Sequence, residues 1–150
     1  MPEDKHALID HFRQMRRDLL AAIDPLTDDQ LSEPTLDGWS VKDHLAHLAL
    51  WDDLRTSEVE RIAAGFDSAW RMSEEQTVAL NDIAFSVRRG LSIAQVRWEL
   101  ATSHQRLLDA VSAATGRGLD ASLYSEAALR STHEAEHTAW ITRWRGDQGA

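Results

Sequence analysis

The chain of 150 residues holds 7 His and 6 Trp beside 1 Tyr and 3 Phe, and it has no Cys. Without cysteine there are no disulfides, no thiolate nucleophiles and no cysteine-ligated zinc or iron–sulfur sites, so any metal must sit on His, Asp or Glu. The spacing that points to chemistry is His133-Glu134-Ala135-Glu136-His137. Two imidazoles four residues apart on a helix stand one turn above each other and can present nitrogens to a single ion. In a chain with 7 His such a spacing arises readily by chance, so its direction matters more than its existence. On a helical wheel His133 and His137 straddle the line through Leu129, Trp140 and Trp144, the middle of an apolar stripe, and both point inward. Two core imidazoles without an ion would each need a hydrogen-bond partner, and they would repel each other once protonated. A shared metal ion answers both needs.

The remaining histidines divide by position. His44 lies near the centre of the Val41, Leu45, Leu48 stripe, whereas His47 lies on its flank with Trp51 and Leu54. Helical geometry alone does not choose between them. His104 falls inward between Leu100 and Leu107, a further candidate ligand, although a core histidine bonded to a neighbour is its plainer role. His6 and His11 sit off the main stripe of the first segment and are expected to be solvated. The string from His133 to His137 also matches the zinc-protease pattern, with Glu134 in the general-base position. Such a protease takes its third ligand downstream, but His137 is followed by no His or Glu and only by Asp147, and no strand is in view to hold a peptide. The protease reading is set aside on those grounds. Glu134 and Glu136 stay as candidate catalytic acid–base groups, Glu136 also as a hydrogen-bond partner of a ligand imidazole. Trp51, Trp140 and Trp144 neighbour the histidine positions and are expected to wall the site, with bulky core filling as their plainer role. Asp28-Asp29 and Asp52-Asp53 read as solvated helix faces and caps.

The elements that must carry these residues are helical. Leu8, Phe12, Met15, Leu19 and Ile23 recur at helical spacing over residues 3–23. Pro25 and Pro34 then break the chain into a loop, with one helical turn at 27–31. Ser40 and Asp43 form a capping box that opens a long helix to about residue 64, with Trp39 placed to staple onto His44 and Gly65 as a left-handed stop. Residues 66–91 hold a shorter helix capped at Ser73 and ended at Gly90. Ser92 caps a third main helix with Ile93, Val96, Leu100, Leu107 and Val111 on one stripe. A fourth spans Glu126 to about Arg145 and is closed by Gly146. The fold expected is all-α, one domain over residues 1–150. It is a four-helix bundle with one long crossover between the second and third main helices and a short extra helix within it.

Bulk composition narrows the function. With 43% hydrophobic and 27% charged residues, 7 Gly and 3 Pro, the chain is too apolar for disorder and too poor in turn residues for a β sandwich. The net charge of −9 repels phosphate backbones and anionic lipid heads, so neither nucleic acid nor a membrane surface is an expected partner. No leader peptide or membrane-length apolar run is evident, and a cytoplasmic location is expected.

Gly38-Trp39-Ser40-Val41-Lys42-Asp43-His44-Leu45-Ala46-His47-Leu48-Ala49-Leu50-Trp51, the later His133-x-x-x-His137 and the closing Ile141-x-x-Trp144-Arg145 resemble the DinB-like (DinB/YfiT) superfamily of bacterial four-helix bundles. Leu80-Asn81-Asp82 and the Trp51 region are similar to the branch that includes colibactin self-resistance proteins and the N-terminal domain of mycothiol-dependent maleylpyruvate isomerases. The resemblance covers nearly the whole chain through short motifs. It implies one divalent ion, zinc or nickel, held by one histidine of the second main helix and two of the last: His47, His133 and His137. The place of His44 is commonly aliphatic in the family, so His44 is a departure that either competes for the ion or packs beside it. Members with assigned chemistry include thiol-dependent transferases and isomerases that use mycothiol or bacillithiol.

The resulting expectation is a metal-dependent enzyme acting on a small molecule. It would be a thiol-dependent S-transferase or detoxifying hydrolase, with a low-molecular-weight thiol as cosubstrate in the first case and a homodimer as a candidate assembly. Three protein ligands and an open position suit catalysis, where a structural zinc is closed by a fourth. The alternative, of a different class, is a ligand-binding or stress-response bundle without turnover, its metal structural or absent.

Overall fold

A computed structural model describes residues 2–34 and 38–147. Among these, helices α1 (Lys5–Ile23), α2 (Asp28–Ser32), α3 (Val41–Ala63), α4 (Glu74–Arg88), α5 (Ile93–Ala113) and α6 (His133–Asp147) are joined by loops and two short 3₁₀ turns, Gly116–Leu119 and Ala121–Leu123. Capping chemistry sets most helix starts. Asp4 accepts from the Ala7 amide, and Thr27, Ser40 and Ser73 each form a reciprocal capping box with Gln30, Asp43 and Gln76. Trp39, one residue before the Ser40 cap, packs its ring 5.2 Å from that of His44 as the expected staple. The loop expected before this helix includes residues 35–37, which lie outside the described residues.

Side-chain pairings give the topology. Arg16 of α1 meets Asp52 of α3 and Glu134 of α6, while Arg145 of α6 reaches the carbonyl of Ala22 at the end of α1, so α1 and α6 run parallel. Val96 and Leu100 pack with Val41 and Leu45, and Leu107 and Val111 with Val59, so α3 and α5 also run parallel and antiparallel to the first pair. The crossover makes this direction possible: α4 runs back along α3, from Asn81 beside Trp51 to Arg89 beside Lys42, and returns the chain to the start of α3. Glu58, fully buried, ties the first part of that crossover down by accepting from Ser68 Oγ and the Ala69 amide.

The apolar core is in two pieces. Leu19, Ile23, Val41, Leu45, Val96, Leu100, Ile141 and Trp144 belong to one cluster, and Leu8, Phe12, Val59, Leu107, Val111 and Leu129 to the other. Arg16, Asp52, Ser103 and Glu134 are buried between them, one on each main helix.

The last helix starts later than its stripe suggests, at His133 and not at Glu126. Leu129 is fully buried, but from a loop. That loop is held by tertiary bonds, two of which engage carbonyls that a helix would use internally: Arg55 Nε donates to the Ala128 carbonyl at 2.6 Å, and His11 Nε2 lies 2.8 Å from the Ser131 carbonyl, while the Arg130 side chain pairs with Glu3. Gly146 does not close the helix, which continues to Asp147. His11 is accordingly half-buried and bonded, whereas His6 is exposed as expected. No helix among the described residues is long and apolar enough to cross a membrane.

Candidate metal centre

The inward faces of α3 and the first turn of α6 meet at four imidazoles. His133 Nε2 lies 3.0 Å from His137 Nε2 and 3.3 Å from His47 Nε2, and one nitrogen of each of the three lies within 4.8 Å of those of the other two. His133 Nε2 has a single in-plane position, occupied by a proton or a lone pair, and cannot form linear hydrogen bonds to both neighbours. The arrangement fits a cation better. Two imidazole nitrogens on one ion at about 2.0–2.1 Å stand roughly 2.8–3.0 Å apart in octahedral and roughly 3.3–3.4 Å apart in tetrahedral geometry. Protonation does not compete near neutral pH. Burial, followed by the neighbouring imidazoles, holds His47 down to about 3 and His137 down to about 2. Burial and then Arg55 lower His133 as well. All three thus keep a lone pair available.

His44 does not join this set but stands behind it, its Nδ1 2.7 Å from His137 Nδ1. With the Nε2 lone pair of His137 turned toward an ion, the His137 proton sits on Nδ1 and donates to His44, which fixes tautomer and ring orientation. Family likeness, and not helical geometry, separates His47 from His44. The structure shows the physical difference between them: both rings pack on Trp39, but the His47 ring faces His133 and His137, and the His44 ring lies behind His137, in contact with Trp140.

The site opens into a cleft of about 640 Å³ bounded by Trp39, Val78, Asn81 and Trp140. Trp140 packs edge-on to His137 at 4.7 Å and remains 42% exposed. Trp144 lines the cleft from the core side, while Trp51 lies outside the cleft lining and instead packs beside the His47 and His133 rings. Trp39 went unread as a wall residue in the sequence. It stacks on Phe85 of α4 at 5.0 Å with planes 3° apart, and its staple position was the available signal. Asn81 accepts a 2.9 Å hydrogen bond from Trp51 Nε1, which joins α4 to the site.

These observations agree with a match over most of the bundle. A family model described as the DinB superfamily matches residues 11–142. The chain belongs to the DinB superfamily. No curated protein and no solved structure gives a significant match. Its bundle fold, with three histidines brought together between α3 and α6, makes this DinB-superfamily chain a candidate metal-binding protein.

Beneath the histidines this DinB-superfamily protein buries an ionic layer. Arg16 forms a fork to Glu134 at 2.9 and 3.1 Å, pairs with Asp52 at 2.7 Å and donates to the Leu100 carbonyl, while Arg55 lies 3.6 Å from Asp52. Burial opposes the charge on Arg16, but Glu134 and Asp52 outweigh it and raise its pKa. Asp52 is pushed up to about 6 by burial, against the pull of Arg16. The reading of Asp52 as solvated is therefore corrected, whereas Asp28 and Asp29 are exposed in the first turn of α2. Glu134 is occupied by Arg16 and not free as a base, and Glu136 is exposed on the outer face of α6. His104 is half-buried beside the layer, away from the three-histidine group, its pKa lowered to about 4 by burial and then Arg16.

Proposed function

We propose that this DinB-superfamily protein is a metal-dependent enzyme in which His47, His133 and His137 hold one divalent cation, zinc or nickel, at the floor of the tryptophan-lined cleft. The observation that carries the reading is the convergence of three neutral imidazole nitrogens at ion-ligand spacing on a cleft large enough for a small organic molecule. A divalent ion there supplies Lewis acidity, lowering the pKa of a coordinated thiol or water and polarising an acceptor oxygen. The chain's own groups do the rest. Three histidines leave a coordination position for substrate, and His44 holds His137 in its ligating tautomer. Trp140 and Trp39 keep the wall apolar, which strengthens electrostatic interactions at the floor. With no Cys in the chain, a sulfur nucleophile must arrive with the substrate. We accordingly favour S-transfer from a low-molecular-weight thiol to an electrophile, with detoxifying hydrolysis as the other chemistry the same site supports.

The test begins with metal analysis of protein purified without a polyhistidine tag. Stoichiometric zinc or nickel in the parent, and its loss from His47→Ala and His133→Ala, are expected. A metal-free parent that behaves like both variants sinks the enzyme reading and leaves a ligand-binding bundle. With metal present, bacterial thiols are assayed against an electrophilic bimane, with His137→Ala as control. Equal rates in parent and variant refute thiol transfer at this site.

A further inference from the structure

The cleft holds a polar group whose orientation the fold fixes. Trp51 Nε1–H can only donate, so the Asn81 atom 2.9 Å from it is the carbonyl oxygen, and the amide cannot be reversed without losing this bond. The Asn81 NH2 group is thereby turned to the opposite side of the amide, and among the described residues it makes no protein hydrogen bond and is not sealed from solvent. Asn81 lines the same cleft as His47, His133 and His137, and the indole that orients it packs against the rings of His47 and His133. Around it, Val78 is 53% exposed and Trp140 42% exposed, large apolar surface facing the cleft where a ligand would cover it. A donor fixed beside the three-histidine cluster and flanked by an exposed valine and an exposed indole describes a ligand by its chemistry.

We propose that Asn81 is a ligand-binding residue. Its NH2 group, aimed by Trp51, selects molecules with a flat apolar body whose carbonyl or carboxylate oxygen reaches Asn81 while the adjoining donor atom reaches the three histidines. This rests on the metal reading above and deepens it. Loss of a fixed donor facing an acceptor oxygen weakens binding about tenfold and leaves a ligand without that oxygen nearly unaffected. Asn81→Asp is the discriminating change, because the carboxylate still accepts from Trp51 but replaces the donor by an acceptor.

The test titrates zinc-loaded parent, Asn81→Asp, Asn81→Ala and Trp51→Phe by calorimetry with two probes. Benzohydroxamate carries a phenyl ring and an acceptor oxygen, and benzyl mercaptan carries a phenyl ring and a sulfur with no oxygen. The quantity read is the ratio of the two affinities, which removes the common effect of charge or zinc loading. In both Asn81 variants the ratio is expected to fall about tenfold. In Trp51→Phe, which frees the amide to rotate, it is expected to fall by a smaller factor while zinc content is kept. An unchanged ratio in Asn81→Asp and Asn81→Ala, whether or not both affinities drop together, overturns the role of Asn81 and leaves the metal site standing. An unchanged ratio in Trp51→Phe alone overturns the aiming by Trp51. A parent that takes up no zinc overturns the metal reading itself, and this proposal with it.

Discussion

Kept free of metal by a chelator, this protein should lose stability steeply in mild acid. His47 and His137 are buried, with pKa values held to about 3 and about 2 against an ordinary 6.5, first by burial and then by the imidazoles beside them. In the unfolded chain both take up a proton below pH 6.5, and in the folded protein neither does. Their contribution is therefore fully present above that pH and is lost as pH falls. At pH 5 each has cost ~2 kcal/mol, the product of about 1.4 kcal/mol per unit and roughly 1.5 units. Asp52 acts in the opposite sense. Raised to about 6, it takes up its proton in the folded state before the unfolded chain does, and so returns ~1 kcal/mol by pH 5. The balance is a loss of ~3 kcal/mol between pH 7 and 5, to which the lowered His133 and His104 add in the same direction. Against a total stability of about 5–15 kcal/mol this is a large fraction, equivalent to roughly 6–12 °C in Tm for a chain of this size. Urea titrations of metal-free protein at half-unit steps from pH 8 to 5 measure it directly. The His47→Gln, His137→Gln double variant should flatten most of the slope. A parent whose stability is constant within ~1 kcal/mol over this range refutes neutral burial of the histidines, and an equal slope in the double variant assigns it to other groups.

Four further outcomes follow from the same geometry. Adding zinc to the chelated parent at about a hundredfold excess over its Kd should raise stability by ~2.7 kcal/mol, read by thermal melts, and His47→Ala should abolish the rise. His44→Ala removes the partner of His137 Nδ1 but no member of the three-histidine group, so competition with a metallochromic chelator should show zinc retained with about 10–100-fold lower affinity. Arg16→Met leaves Glu134 and Asp52 buried without their fork and should cost about 3–5 kcal/mol in urea unfolding, whereas the same change combined with Glu134→Gln and Asp52→Asn should recover most of it. Gly118→Ala would place a methyl 2.9 Å from the Ala63 side chain and 3.0 Å from that of Ala114, costing about 1–3 kcal/mol, and Ala63→Gly in the same chain should relieve part of the loss.

Local signals in the sequence carried the helices because their causes are local. Ser40 with Asp43 and Ser73 with Gln76 lie three residues apart, and the structure uses both pairs as capping boxes. The start of α6 failed for the converse reason. Leu129 fits the stripe of His133 and Ile141, but the carbonyls of Ala128 and Ser131 are taken by Arg55 and His11 and the Arg130 side chain by Glu3, partners at least 70 residues away in sequence that no window of helical periodicity contains. The histidine pair on α6 was visible in direction from its stripe. Its third member was not, since His44 and His47 are both buried, and only the fold shows that the His47 ring lies against both α6 imidazoles while His44 meets His137 through the nitrogen turned away from the cluster.

The ionic layer was hidden for a deeper reason, and it bears on why the site is where it is. Asp52 and Glu134 carry the marks of surface residues in sequence, and what buries them is Arg16, 36 and 118 residues away. Replacing such a layer with apolar side chains of similar volume is often neutral or stabilising, so its net stabilisation of the bundle does not explain it. Its position does. Glu134 follows His133 directly, and its carboxylate receives two bonds from one guanidinium that also holds Asp52, five residues beyond His47 on α3. The first turn of α6 is thus pinned to α3 in register through α1, although α3 and α6 themselves make few close backbone approaches. A bidentate ion pair fixes direction as well as distance, which apolar packing does not. Between the two apolar clusters the layer joins α1, α3 and α6 through one guanidinium, five residues from His47 on α3 and next to His133 on α6.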